Sequence, residues 1–243
     1  MTLLLTEIHW LDGFSKSCIL FAADRRISRN GIYDGIRKKI FQIPYLPAGI
    51  GYFGLAELHT RKAMSDWLLG FIRRNSHLKN MQIFANELAN HLNSDIIPQF
   101  RSNYISGFHL AGYNSAGIPE FWYIRNVEDD RRTITGIYEC REDFLNGNAR
   151  AFGYDGLNPN SIRWGGQSYR NGDIRAHHTA WERIDEAFKN LLNEPEFKRL
   201  KTIADYEKWV KFKMDVIAYF YKKYCNISLI AKPIDTFSIT STI

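Results

Sequence analysis

Residues 2–24, TLLLTEIHWLDGFSKSCILFAAD, decide how the chain begins. Residues 2–10 and 18–23 are short apolar runs, and Asp12-Gly13 between them is a turn signal, so the stretch predicts a β-hairpin. Folding about that centre brings Thr2 and Asp24 to the same open end. A hydroxyl residue at the start of one strand thus faces a carboxylate at the end of the next.

Reading outward, Asn30-Gly31 marks a further turn. Residues 39–43 (KIFQI) and 48–53 (AGIGYF) read as two more strands separated by Pro44 and Pro47. The period then changes. Leu55, Leu58, Ala63, Trp67, Leu68 and Ile72 recur at three- and four-residue steps, predicting a helix over 55–74, and a second helix follows over 81–97 with Pro98 past its end. Strands are expected again over 104–113 and 118–125, around the turn Asn114-Ser115-Ala116-Gly117, and over 133–140 and 150–153. Residues 153–173, rich in Gly and Asn, read as an internal loop. Helices over 176–193 and 203–224 lead into a closing β segment over 227–239, and no internal repeat is evident. This order predicts an α+β fold, a four-layer α/β/β/α sandwich spanning residues 1–243 as a single domain, in which two antiparallel sheets face each other under two helix pairs.

Composition excludes several classes. With 45% apolar and 14% aromatic residues the 243-residue chain is no disordered polymer. Three cysteines, Cys18, Cys140 and Cys225, without CxxC spacing argue against a zinc finger or a disulfide scaffold. No apolar run approaches a bilayer span and no basic leader precedes the first strand, so the expected location is the cytosol and no membrane partner is expected. No P-loop or GxGxxG is present and no cofactor is expected. The formal net charge of +6 is compatible with an acidic partner but decides nothing.

Thr2 follows the initiator Met, and small second residues are those after which that Met is commonly removed. The mature chain would then open on a threonine carrying a hydroxyl and a free α-amine. Such an amine, with an unperturbed pKa of about 7.7–8.0, can accept the hydroxyl proton at neutral pH and make the oxygen a nucleophile.

Around Thr2, the strand CILFAAD ends at Asp24, Arg25-Arg26 follows, Arg37-Lys38-Lys39 precedes KIFQI, and AGIGYFGLAE leads to the first helix. In these features the sequence resembles the catalytic β-subunits of the proteasome and their bacterial relatives, the threonine-type N-terminal-nucleophile (Ntn) hydrolases. The closing segment KPIDTFSIT, residues 232–240, is similar to that family's last strand. The resemblance implies the Ntn-hydrolase fold, a threonine-type endopeptidase acting on peptide or unfolded protein, and a self-compartmentalising homo-oligomeric ring, which an unfoldase partner would feed. It makes Thr2 the nucleophile, Asp24 the carboxylate that holds a lysine, Lys39 the ammonium beside the threonine oxygen, and Gly54 the oxyanion donor, with Phe53 as the alternative. Arg26 adds positive charge near the Asp24 turn. A cation within ~4–6 Å favours the alkoxide, and keeping a lysine charged in a partly buried cleft calls for a paired carboxylate.

The sequence departs from that pattern in places. The hairpin is longer, the family's glycine pair appears as Phe53-Gly54, Asp155 in Gly153-Tyr154-Asp155-Gly156 stands where a serine is usual, and Asn226 and Leu229 fall where a late Asp-x-x-Ser-Gly-Gly would be. An inactive structural or regulatory ring subunit is therefore the alternative. Less favoured is a nucleic-acid binder using the late helix, where Lys208, Lys211, Lys213, Lys222 and Lys223 interleave with Tyr206, Trp209, Phe212, Tyr219, Phe220, Tyr221 and Tyr224. His177, His178 and Glu182 form a weak metal candidate.

Overall fold

A computed structural model describes residues 3–11, 16–29, 32–127, 133–144, 166–173, 176, 181–198, 200–226 and 229–241. Strands β1 (Leu3–Leu11) and β2 (Lys16–Asp24) form the expected antiparallel pair, with Leu4 opposite Ala23. Every residue from Leu3 to Ile8 is buried, because both faces of β1 are covered. Leu3 and Leu5 point into one apolar layer and Leu4 and Ile8 into another, the two-residue alternation of a pleated strand.

Two antiparallel sheets result. The first has the order β10-β1-β2-β11, where β10 is Gly166–Gly172 and β11 is Ile234–Thr240. The second runs in sequence order from β5 (Ile40–Ile43) and β6 (Ala48–Phe53) through β7 (Gly107–Tyr113) and β8 (Pro119–Val127) to β9 (Ile134–Phe144). A small ribbon, β3 (Arg26–Arg29) with β4 (Ile32–Ile36), leaves the end of β2.

The sequence of β6 explains how closely the sheets approach. Ala48, Ile50 and Tyr52 pack toward the helices, whereas Gly49, Gly51 and Phe53 lie on the opposite face. A Cβ at Gly51 would come within 2.6 Å of Leu4 Cδ1, and one at Gly49 within 2.8 Å of the Phe21 and Phe237 rings. Side chains there would push the sheets apart. Beyond these glycines, Phe121 stacks on Tyr169 with ring centroids 3.6 Å apart, joining β8 of one sheet to β10 of the other.

Helices close both outer faces. Against the second sheet lie α1 (Met64–Arg74) and α2 (Met81–Asp95), contributing Trp67, Leu68, Phe71, Phe84, Leu88 and Leu92 to a shared core. Asn80 caps α2 by accepting from Ile83 N–H at 3.0 Å. A six-residue helix, α3 (Pro98–Asn103), then leads to β7. Against the first sheet lie α4 (Glu182–Asn193) and α5 (Ile203–Tyr224), with Val210, Met214, Ile217 and Tyr221 of α5 against Leu3, Leu5 and Leu20. Thr202 and Asp205 form a reciprocal capping box at the start of α5. The layering is thus helices, sheet, sheet, helices, the predicted α/β/β/α sandwich.

Three expectations need correction. The first helix begins at Met64, not at residue 55; Leu55 and Leu58 are buried from irregular backbone, so their helical spacing comes from tucking under the same core. Pro98 does not simply end a helix but opens α3, where a proline at the first position leaves no helical hydrogen bond unmade. Within the expected loop over 153–173, Gly166–Gly172 is a strand pairing with β1. The turn residues Asp12, Gly13, Asn30 and Gly31, the expected strand over 150–153, and Asp155 lie outside the described residues. No helix among the described residues is long and apolar enough to cross a membrane.

Candidate functional site

Asp24 is the last residue of β2, and its carboxylate is fully buried. Its Oδ1 accepts from the backbone N–H of Leu3 at 2.8 Å and from Lys39 Nζ at 3.1 Å, while Oδ2 accepts from Arg26 N–H at 3.2 Å. The carboxylate therefore ties the first described residue of β1 to the irregular segment that leads into β5. Lys39 is only 2% exposed and also donates to the Arg26 carbonyl at 2.7 Å. Burial pulls its ammonium below the usual lysine value, and Asp24 opposes that by favouring the charged form. Lys38, by contrast, is exposed and rests over the Phe41 ring at 5.5 Å. The structure separates two adjacent lysines into one buried ion pair and one surface cation.

A cleft of about 250 Å³, including open solvent, lies beside the pair and is lined by Arg26, Ser28, Lys39, Tyr52 and Gly54 among others. The backbone couples its walls: Tyr52 N–H donates to Lys39 C=O at 3.0 Å, and the Tyr52 hydroxyl donates to Lys38 C=O at 3.2 Å. Gly54 follows β6 with φ +83°, the left-handed region, and a Cβ there would sit 2.1 Å from the Ile105 carbonyl oxygen. Only glycine fits, because the neighbouring backbone comes so near. Residues 105–106 therefore impose glycine at this position. Gly54 is solvent-exposed, and its N–H has no acceptor among the described residues.

Of the four residues singled out from the sequence, Asp24 and Lys39 are thus in contact, Gly54 lines the same cleft, and Thr2 lies outside the described residues. Arg25 and Arg26 part company. Arg25 makes a bidentate ion pair with Asp235 at 2.7 and 2.6 Å, fastening the turn after β2 to β11. Arg26 faces the cleft with its guanidinium 4.9 Å from the Tyr33 ring.

Two polar clusters escaped the sequence reading. Glu7, on the helix-facing side of β1, accepts from Lys213 of α5 at 3.1 Å, and Lys213 also donates to Asp185 of α4 at 2.7 Å. Burial alone would raise the Glu7 carboxyl, but Lys213 and the His9 ring, 2.7 Å away, hold it far below the usual carboxylate range. Lys213, 2% exposed, is therefore no part of a basic surface face, which corrects the grouping of five lysines on the late helix. On the inter-sheet side, Thr6 Oγ1 lies 3.0 Å from His109 Nδ1 and Asn171 Oδ1 lies 2.5 Å from His109 Nε2, linking β1, β7 and β10. In each case the available signal was a polar residue inside an apolar strand.

Among the described residues no group of three or more His, Cys, Asp and Glu side chains is placed to hold a metal ion, and His177 and His178 lie outside the described set. Cys18 is fully buried and its thiol is pushed up to about 12, chiefly by burial, which leaves it inert as a nucleophile.

No family model matches the sequence, and no curated protein matches it. Among solved structures the chain is similar to Anbu (ancestral beta-subunit) from Yersinia bercovieri, with a TM-score of 0.55, 12% identity, and coverage of 98% of this chain and 82% of that one. At that identity the likeness speaks for the fold. Over nearly its whole length the chain therefore has the fold of that protein, and the four-layer α/β/β/α sandwich expected from the order of its elements is the fold observed.

Proposed function

We propose that the chain is a threonine-type peptidase that uses Thr2, exposed by removal of Met1, as its nucleophile. The observation that carries this reading is the buried Asp24–Lys39 pair bonded directly to the N–H of Leu3, the residue after Thr2. An ion pair sealed at the start of an N-terminal strand is costly to desolvate, and a charge held there acts on whatever lies beside it.

In the reaction, Thr2 Oγ attacks the peptide carbonyl while the α-amine takes its proton. Lys39 lowers the energy of the oxygen as negative charge develops, and the unpartnered N–H of Gly54 donates to the oxyanion. The protonated amine passes its proton to the leaving nitrogen as the C–N bond breaks. Water, deprotonated by the same amine, then hydrolyses the ester and restores the threonine.

We further propose assembly into a cytosolic homo-oligomeric ring that takes peptides or unfolded chains, fed by an unfoldase. The support is α5, which leaves Phe212, Tyr219, Phe220 and Tyr224 exposed on a helix whose other side is core. The alternative is a ring subunit without activity. The departures from the family pattern around Asn226 and Leu229 favour that second reading, and retention of Met1 would block the amine.

Intact mass and labelling decide between them. The peptidase reading expects a chain lacking Met1 that is modified by an N-terminal-threonine-directed electrophile, with no modification of Thr2→Ala. A Met-free chain that resists the electrophile refutes it.

A further inference from the structure

The segment that borders the cleft carries more cations than its own acids neutralise. Residues 24–39 include Arg25, Arg26, Arg29, Arg37, Lys38 and Lys39 against Asp24 and Asp34. Arg25 is held by Asp235, Lys39 by Asp24, and Lys38 lies over Phe41. Arg26 differs. It lines the cleft, yet its Nε is buried without a hydrogen-bond partner, and its guanidinium has no ion pair among the described residues. Asp24, the nearest acid in sequence, already accepts from Leu3, Lys39 and the backbone of Arg26 itself. A guanidinium presents five donors in a fixed fork matched to a carboxylate, and leaving a buried donor unmade is unfavourable. Here the fork lies with its central carbon 4.9 Å from the Tyr33 ring centroid, on a ribbon whose two ends are joined by the N–H of Arg37 donating to the carbonyl of Arg25 at 2.8 Å. It is pre-set for a planar anion that comes from outside the chain.

We propose that Arg26 makes this cleft select a peptide bearing a side-chain carboxylate, Asp or Glu, beside the position of the scissile bond. Among the described residues that line the cleft, Lys39 is paired with Asp24 and Arg26 is the cation without an ion pair, so neutral and basic side chains lack its bidentate contact and basic ones are repelled. The word "scissile" rests on the peptidase reading above; the recognition itself does not.

The test separates the two. Fluorescently labelled tetrapeptide amides Ala-Ala-Ala-X, with X as Asp, Glu, Leu or Lys, and the Leu peptide with a free terminal carboxylate, are titrated by anisotropy into the full-length chain. The Asp and Glu amides are expected to bind about tenfold more tightly than the Leu and Lys amides, the scale of one charge-assisted contact. Arg26→Gln should erase the difference and Arg26→Lys should keep part of it. Equal binding of the four amides by the unaltered chain, or no binding of any, overturns the proposal without reliance on a variant. An acid preference that survives in folded Arg26→Gln also overturns it. Tight binding of the free Leu acid but not of the Asp amide overturns the side-chain assignment and gives Arg26 to the chain terminus. Fluorogenic versions then report on cleavage: selective binding without hydrolysis refutes the peptidase reading alone, whereas hydrolysis with no acid preference refutes this proposal alone.

Discussion

Replacing Lys39 by Met keeps most of the side-chain volume and removes the charge, so it isolates the ion pair at the head of β1. In the native chain the two groups are 3.1 Å apart, with 2% of one side chain and none of the other exposed. Removing one partner of a buried pair generally costs about 3–5 kcal/mol, because the remaining charge stays desolvated. Asp24 would retain two backbone donors, at 2.8 and 3.2 Å. The lower end, about 3 kcal/mol, is therefore expected. Lys38→Met, on the surface, should cost less than about 0.5 kcal/mol. Asp24→Asn with Lys39→Met should be less harmful than the sum of the two single changes, with a coupling of about 2 kcal/mol. Urea unfolding at fixed protomer concentration measures all four chains, since assembly would otherwise shift the midpoint. If Lys39→Met is no worse than Lys38→Met, or the coupling is under about 0.5 kcal/mol, the pair does not hold β1 and the site built on it fails. On the peptidase reading, Lys39→Ala also removes activity by a hundredfold or more, in line with loss of one preorganised electrostatic group, while Lys38→Ala leaves it near wild type.

Gly54→Ala forces a Cβ to within 2.1 Å of the Ile105 carbonyl at φ +83°, so a clear drop in melting temperature is expected; an unchanged melting curve would show that the cleft wall relaxes freely. Glu7 titrates below its ordinary 4.5 in the folded chain, so its contribution to stability is complete above that pH and is lost as pH falls through the folded value. Glu7→Gln should therefore flatten the decline of the urea midpoint below about pH 4.5, and an acid limb as steep as wild type would refute the assignment. Replacing Tyr219 and Phe220 together by Ser should lower the assembly mass seen by light scattering, whereas an unaltered mass would remove α5 from the proposed ring contact.

The hairpin, the glycine-rich β6 and the helix pairs were legible because each follows a local period that tertiary packing then reinforces. The failures had a common cause in tertiary context. Gly166–Gly172, GQSYRNG, has the composition of a loop, yet β1 needs a partner along its outer edge and Tyr169 has an inter-sheet slot against Phe121. Pairing and burial override weak strand propensity there. Lys213 is a different case. It falls on the stripe Tyr206, Val210, Lys213, Ile217 and Tyr221, at three- and four-residue steps, and all five are buried. The period placed it inward, but with no view of Glu7 across the layer a lysine reads as surface. Asp24 and Lys39 were found because a familiar order of motifs linked them, as no periodicity relates a strand end to a residue fifteen positions later.

The polar residues of β1 acquire a purpose when its two faces are compared. Glu7 meets Lys213 on the helix side, Thr6 meets His109 on the inter-sheet side, and the N–H of Leu3 meets Asp24 at the strand's start. A purely apolar strand such as Leu3-Leu4-Leu5 tolerates a shift by one residue, since leucine is acceptable on either face. With Glu7 and Thr6 in place, the same shift would drive a desolvated carboxylate among the inter-sheet aromatics and leave Lys213 with Asp185 as its acid, the contact to Glu7 lost. The buried polar contacts therefore select one register where hydrophobicity alone would permit several. On the peptidase reading that selection matters most at the start of β1, because a nucleophile carried one residue before Leu3 is placed only as definitely as the register of the strand it leads into.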